Sequence, residues 1–155
     1  MVFHGYGGRE GVIRVLFSQH ERLESCVIIC IMKLHVHVLE ARGLAARDHN
    51  GLSNPFVRLQ LGSTKTKSAM ILRTLNPSWR EEFFFNVVGS DEELLLTIWD
   101  ADRFSNDFLG QVKIPVSDIL TAEKQTITRK WYSLQKRSER SKFPISGAFP
   151  FLCVL

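Results

Sequence analysis

Three of the chain's six aspartates, Asp100, Asp102 and Asp107, fall within the stretch WDADRFSNDFLG that runs from Trp99 to Gly110. Crowded carboxylates raise the cost of ionising one another unless a cation lies between them. Residues two apart on a strand point the same way, so Asp100 and Asp102, placed where ELLLTIW runs out, project into one loop space. Asp107 returns from the far side of that loop. A fourth aspartate, Asp48, sits in ARDHNGLSN, and Asn54 adds a side-chain oxygen just beyond it. Such an oxygen-rich cluster suits a hard cation, since Ca²⁺ takes about six to eight oxygens and tolerates irregular geometry. Aspartates that merely cap turns are the plainer alternative. An EF-hand loop fits less well: it would need an oxygen ligand at Phe104 and a glycine at Ser105. A phosphoryl-transfer aspartate would need a parallel α/β fold. No nucleophile and general base pair accompanies the carboxylates, so catalysis is not expected.

The elements that must position these residues are short strands. KLHVHVLE, from Lys33, alternates Leu34, Val36 and Val38 on one face with Lys33, His35 and His37 on the other, the pattern of a half-buried strand. NPFVRLQLG, TKTKSAMIL, EEFFFNVV, ELLLTIWD, FLGQVKIPV and RKWYSLQ follow, punctuated by turn residues. With a closing strand offered by SGAFPFLCVL, the reading is all-β: an eight-stranded antiparallel β-sandwich. Pro150 makes that last strand irregular or confines it to an edge. One short connecting helix is expected in SDILTAEKQTIT, with Ser117 as N-cap. Trp79 and Phe83 to Phe85 read as core and sheet contacts, with Asn76 and Pro77 building the preceding turn. Residues 1–31 lack clean periodicity, although VIRVLF could form a strand.

Bulk properties narrow the class. A chain of 155 residues supports one domain with a hydrophobic core. Its 45% hydrophobic and 23% charged composition is that of a globular protein. The net charge of +4 favours acidic partners without choosing among them. Cys26, Cys30 and Cys153 suggest no disulfide framework and fit a reducing, cytoplasmic setting. Cys153 stands one place short of a prenylation box, and Val2 excludes myristoylation. CVIICIM is far shorter than the ~18 residues of a membrane span, and its acidic upstream flank does not suit a signal peptide.

RDHNGLSNPFVRL, LRTLNPSWREEFFF, IWDADRFSNDFLG and KWYSL, in that order, resemble the successive signatures of a C2 domain, the calcium- and phospholipid-binding β-sandwich. The resemblance covers about Met32 to Gln135. The segment beginning MKLHVHVLEARGL is especially similar to C2 domains of plant proteins, some of which also carry a GRAM domain. The division this implies is an N-terminal extension over 1–31 and a C2 domain over 32–155, atypical from about 137. The topology is expected to begin at the strand leading into the first loop. The unmatched ends would fit a variant or piece of a longer protein.

The resemblance implies a calcium site built from two loops at one end of the sandwich, carried here by Asp48, Asp100, Asp102 and Asp107. Asn54 takes the position usually held by a fifth aspartate, so a second ion should bind weakly or not at all. Calcium would reverse the local negative potential and let an anionic phospholipid membrane approach. Arg103 and Phe104 form the loop tip facing lipid, Phe104 as an apolar wedge, whereas His49 at the first tip would insert poorly. Similar domains bind phosphoinositide headgroups on a basic sheet face. Arg58, Lys65 and Lys67 are the candidates here, although Gln60 and Ala69 stand where other members have lysines, and a solvated strand face is the simpler reading. The expectation is a non-enzymatic, monomeric, calcium-dependent module that associates peripherally with membranes. The alternative is a calcium-independent protein-interaction domain. KRSERSK, from Lys136, lacks interleaved aromatics and reads as a solvated tail rather than a nucleic-acid contact. His35 and His37 share a strand face, but no third zinc ligand at suitable spacing is visible, so they read as surface histidines.

Overall fold

The computed structural model describes residues 12–14, 29–89, 92–103, 105–122, 126–137 and 145–154. Among these, nine strands run in the order β1 (Val12–Arg14), β2 (Ile29–Glu40), β3 (Pro55–Leu61), β4 (Thr64–Lys67), β5 (Ser78–Val87), β6 (Glu93–Asp100), β7 (Asp107–Pro115), β8 (Thr126–Ser133) and β9 (Ala148–Val154). Among the described residues one helix, α1 (Val116–Thr121), lies between β7 and β8. All pairings are antiparallel. One sheet is built on β2, with β5 along one edge, β9 and then β8 along the other, and β1 on its first three residues. The other has the order β4-β3-β6-β7. The expected all-β sandwich is therefore present, with β1 added by VIRVLF.

Alternation supplies the core between the sheets. Leu34, Val36 and Val38 of β2 are fully buried and face Val57 and Leu59 of β3 and Leu94, Leu96 and Ile98 of β6 within one cluster. A one-residue slip of β2 would expose all three of its core residues, at about 1.5–3 kcal/mol each. That cost fixes the outward orientation of Lys33, His35 and His37. In β5, Trp79 and Phe85 join the core and Phe83 packs against it, but Phe84 is 64% exposed because it falls on the opposite parity.

Several details differ from the sequence reading. TKTKSAMIL is a strand only to Lys67, after which the chain bends into a loop held by Ser68 N–H to Val57 O and Ile71 N–H to Pro55 O. The helix begins directly after Pro115, whose fixed φ suits entry. Ser117 therefore lies in the first turn and does not cap it. The last strand is irregular, with a register shift against β8 between Ile127 and Lys130, but it is not at an edge: β9 lies between β2 and β8. Pro150 is tolerated there because it stands opposite Trp131 on the β8 side, while the β2 ladder covers only Phe151 to Val154. Contact with the chain beyond β2 resumes at the isolated Arg42–Ala148 bridge, past the β2 irregularity between Val38 and Glu40. A missing N–H costs little at such a break.

A second irregularity positions the loop chemistry. Between β6 and β7 the register shifts, so that Ile98 faces Gly110 while Trp99 faces Phe108, leaving Leu109 as the extra residue. The shift brings Asp107 opposite Asp100. Gly110 is needed at this bulge: its φ is +154°, and an added Cβ would lie 2.7 Å from Leu134 Cβ.

Candidate functional site

Three loops meet at one end of the sandwich: 41–54, 68–77 and 101–106. Asp100 closes β6, a central strand flanked by β3 and β7, and is fully buried for that reason. Asn54 N–H donates to its Oδ1 at 2.6 Å. Its Oδ2 is buried without a hydrogen-bond partner among the described residues. An unpaired buried carboxylate oxygen is costly.

Asp107 stands opposite Asp100 across the β6–β7 ladder, and Asp48 and Asp102 lie in the first and third loops. The carboxyl of Asp102 is raised above its ordinary value by desolvation, by the charges of Asp100, Asp48 and Asp107, and by a hydrogen bond with Asp48. The charges of Asp48, Asp100 and Asp107 thus all act on Asp102.

Asn54 behaves differently from the expectation that its oxygen joins the aspartates. Its Oδ1 accepts Arg73 N–H at 3.1 Å, while its Nδ2 donates to Asp48 Oδ2 at 3.0 Å. The amide therefore satisfies Asp48 as a donor. The reason is local: the second loop brings the Arg73 N–H to Asn54, and only the nitrogen end then remains for Asp48. Ala101 N–H to Asn54 O ties the third loop to the same residue. The first loop is held internally by Gly51 N–H to Asp48 O and by buried Ser53, whose Oγ accepts from Arg47 N–H and donates to Ala45 O.

Arg103 is exposed in the third loop. Phe104, the expected apolar wedge, lies outside the described residues. Sequence reasoning missed a different apolar feature. Met70 and Leu72 of the second loop are 47% and 66% exposed, and they line a shallow concavity with Asp48, Asn54, Arg73 and Ala101. TKTKSAMIL read as a continuous strand hid this loop; Met70 and Leu72, two apart and therefore on one side, were the available signal.

The basic candidates lie on the outer face of the four-stranded sheet. Arg58 pairs with Lys67, and Gln60 with Lys65, so all four share that face. The Arg58 guanidinium stacks 4.9 Å from the Trp99 ring centroid and 5.3 Å from that of Phe56, contacts that hold its plane in place. A groove here is lined by Arg58, Gln60, Lys65, Trp99, Gln111 and Arg137. A second concavity is lined by Arg58, Lys65, Thr66 and Lys67. Arg137 belongs to the run read as a solvated tail. It reaches the groove because Gln111 and Gln135 exchange backbone hydrogen bonds and Gln111 Nε2 donates to Lys136 O.

Two antiparallel sheets packed as a sandwich thus carry acidic loops at one end and basic side chains on an outer face. A family model of the C2 domain matches residues 32–134. The chain belongs to the C2 domain family. It is 44% identical over 112 residues to an Arabidopsis thaliana C2 and GRAM domain-containing protein, covering 72% of this chain and 11% of that one. It is 36% identical over 125 residues to Ras GTPase-activating protein 4 of Mus musculus, covering 79% and 15%. The chain thus spans a small part of the curated relatives it matches. Among solved structures, a calcium-bound pair of C2 domains from extended synaptotagmin 2 aligns with a TM-score of 0.66 at 23% identity, over 79% of this chain and 44% of that one. A single C2 domain of plant extended synaptotagmin 1 aligns with a TM-score of 0.65 at 22% identity, over 79% and 92%. These two likenesses concern the fold. No helix among the described residues is long and apolar enough to cross a membrane.

Proposed function

We propose that the chain is a calcium-dependent phospholipid-binding module that attaches to anionic membranes by its loop end. The observation that carries this reading is Asp100, fully buried with one carboxylate oxygen unpartnered among the described residues, whose charge acts on Asp102 together with those of Asp48 and Asp107. The donor set is all oxygen, which suits Ca²⁺. Asp48, Asp100, Asp102 and Asp107 would form a cup that holds the ion, and its charge would offset theirs. Asn54, engaged with Asp48 and Arg73, limits the cup to one firmly held ion. Met70 and Leu72 beside the cup, with Arg103 at the third loop, supply apolar and basic contacts to a headgroup layer. Arg58, Lys65, Lys67 and Arg137 would take a second anionic headgroup along the sheet. The unit performing this is residues 32–155, with 1–31 as an extension, and its role is binding rather than catalysis.

The experiment is co-sedimentation with phosphatidylserine-containing liposomes, with calcium and with chelator, on the wild type and the double variant Asp100→Asn, Asp102→Asn. Pelleting should require calcium and the intact pair. Calcium-independent pelleting unaffected by the double change would overturn the switch. A second reading, a calcium-independent protein-interaction domain, is favoured by the Asn54 amide, which already satisfies Asp48 without metal. It predicts neither calcium heat by calorimetry nor pelleting with anionic lipid.

A further inference from the structure

The alternation of KLHVHVLE places His35 and His37 on the outer face of the β2 sheet, away from the core and away from the aspartate cup. Across the ladder His37 faces Glu82 and His35 faces Phe84, so the ligand that local spacing lacks comes from the neighbouring strand. His35 Nε2 lies 3.0 Å from Glu82 Oε2, and His37 Nδ1 lies 3.3 Å from Glu82 Oε1. One donor atom from each of the three residues falls within 4.8 Å of the others. A tetrahedral ion with bonds of about 2.0–2.1 Å needs its ligand atoms roughly 3.4 Å apart, inside the 4.8 Å span of these three donors.

The three side chains are held in place. β2 and β5 pair continuously from Met32 opposite Val87 to Val38 opposite Glu81. The His35 ring stacks on Phe84 with centroids 4.2 Å apart and 18° between planes, and it lies 4.0 Å from the His37 ring. Both histidines are partly buried, and Glu82 is half-exposed, so the fourth coordination position faces solvent. Two imidazoles and one carboxylate select a borderline ion of the zinc class over calcium, which prefers oxygen alone.

We propose that His35, His37 and Glu82 form a site for a zinc-class divalent ion on the sheet face, chemically distinct from the aspartate cup. The alternative use of the same atoms is a metal-free contact in which both rings share one carboxylate. The test is a titration of the full chain with Zn²⁺ alone in calcium-saturated buffer, repeated on His35→Gln, His37→Gln and Glu82→Gln. Substitution with Co²⁺ reports the ligand type. One equivalent should bind, and loss of either imidazole should weaken it by about 100-fold or more, a ligand costing no less than the outer-shell partners of a metal site. The Asp100→Asn, Asp102→Asn variant should bind Zn²⁺ as the wild type does, which separates this site from the calcium reading. The cobalt spectrum should lack a thiolate charge-transfer band. Unchanged zinc affinity in a His35→Gln, His37→Gln double variant whose melting shows a native fold would overturn the proposal. So would a sulfur band, or the absence of zinc heat in the wild type.

Discussion

Asn54→Asp is the most informative single change, because every bond the amide makes can be read. The wild-type Nδ2 lies 3.0 Å from Asp48 Oδ2 and donates to it, while Oδ1 accepts from Arg73 N–H. A carboxylate keeps the second bond and turns the first into a contact between two acceptors. Two like charges about 4 Å apart repel by roughly 1 kcal/mol in water and 4 kcal/mol in a partly buried setting. Asp48 and Asn54 are both partly buried, so a value near ~2 kcal/mol is reasonable. Losing the hydrogen bond to a charged acceptor adds about 1.5 kcal/mol. In chelator the variant should thus be less stable by about 3–4 kcal/mol, roughly a 10 °C fall in melting temperature for a domain of this size. In saturating calcium the order should reverse, and calorimetric stoichiometry should rise from one ion to two. Calorimetry and thermal melting in both buffers decide it. An unchanged melting temperature in chelator with unchanged stoichiometry would refute the bridging role given to the amide.

Met70→Ala with Leu72→Ala should reduce liposome binding several-fold while leaving calcium affinity in solution unaltered; equal loss of both would assign these residues to loop folding. Asp102, with its folded-state value raised, favours its protonated form in the native chain. The stability it contributes is fully present below the ordinary aspartate value of 3.8 and is lost as pH rises through the raised value. Urea midpoints in chelator should therefore fall more with rising pH for the wild type than for Asp102→Asn, and parallel profiles would contradict the action of the neighbouring charges on Asp102. Gly110→Ala should destabilise by about 1–3 kcal/mol, since Leu134 Cβ stands 2.7 Å from the new methyl; a shift below about 0.5 kcal/mol in denaturant melts would mean that the bulge relaxes freely.

The strands were legible because one face of each is buried: Leu34, Val36 and Val38, or Leu94, Leu96 and Ile98, announce their parity in the sequence alone. The aspartates were legible for a related reason, since they sit where that alternation ends. What could not be read was set across the chain. Glu82 meets His37 because of a strand register that no local pattern encodes. Arg137 reaches the basic groove through the Gln111–Gln135 bridge. The rotamer of Asn54 depends on where the second loop delivers the Arg73 N–H. The interior place of β9 was masked by Pro150, whose missing donor matters only if a partner faces it.

The hydrogen bonds around the cup also bear on how the proposed switch would work. Asp100 and Asp107 stand on paired strands, and Asp48 is locked into its loop by bonds to Leu52 and Gly51. Asn54 joins all three loops through Asp100, Ala101, Asp48 and Arg73. Little chain entropy therefore remains to be lost when a cation arrives, and little movement is available for it to drive. The energy to be released is electrostatic, stored as the orphaned oxygen of Asp100 and the raised carboxyl of Asp102. On this reading the ion changes the sign of the loop end more than its shape. Membrane affinity should then fall steeply with ionic strength in calcium, while backbone amide spectra with and without the ion differ only around the three loops. Widespread spectral change across β2 and β5 would mean that the switch is conformational, and the rigid hydrogen-bonded frame would have to yield.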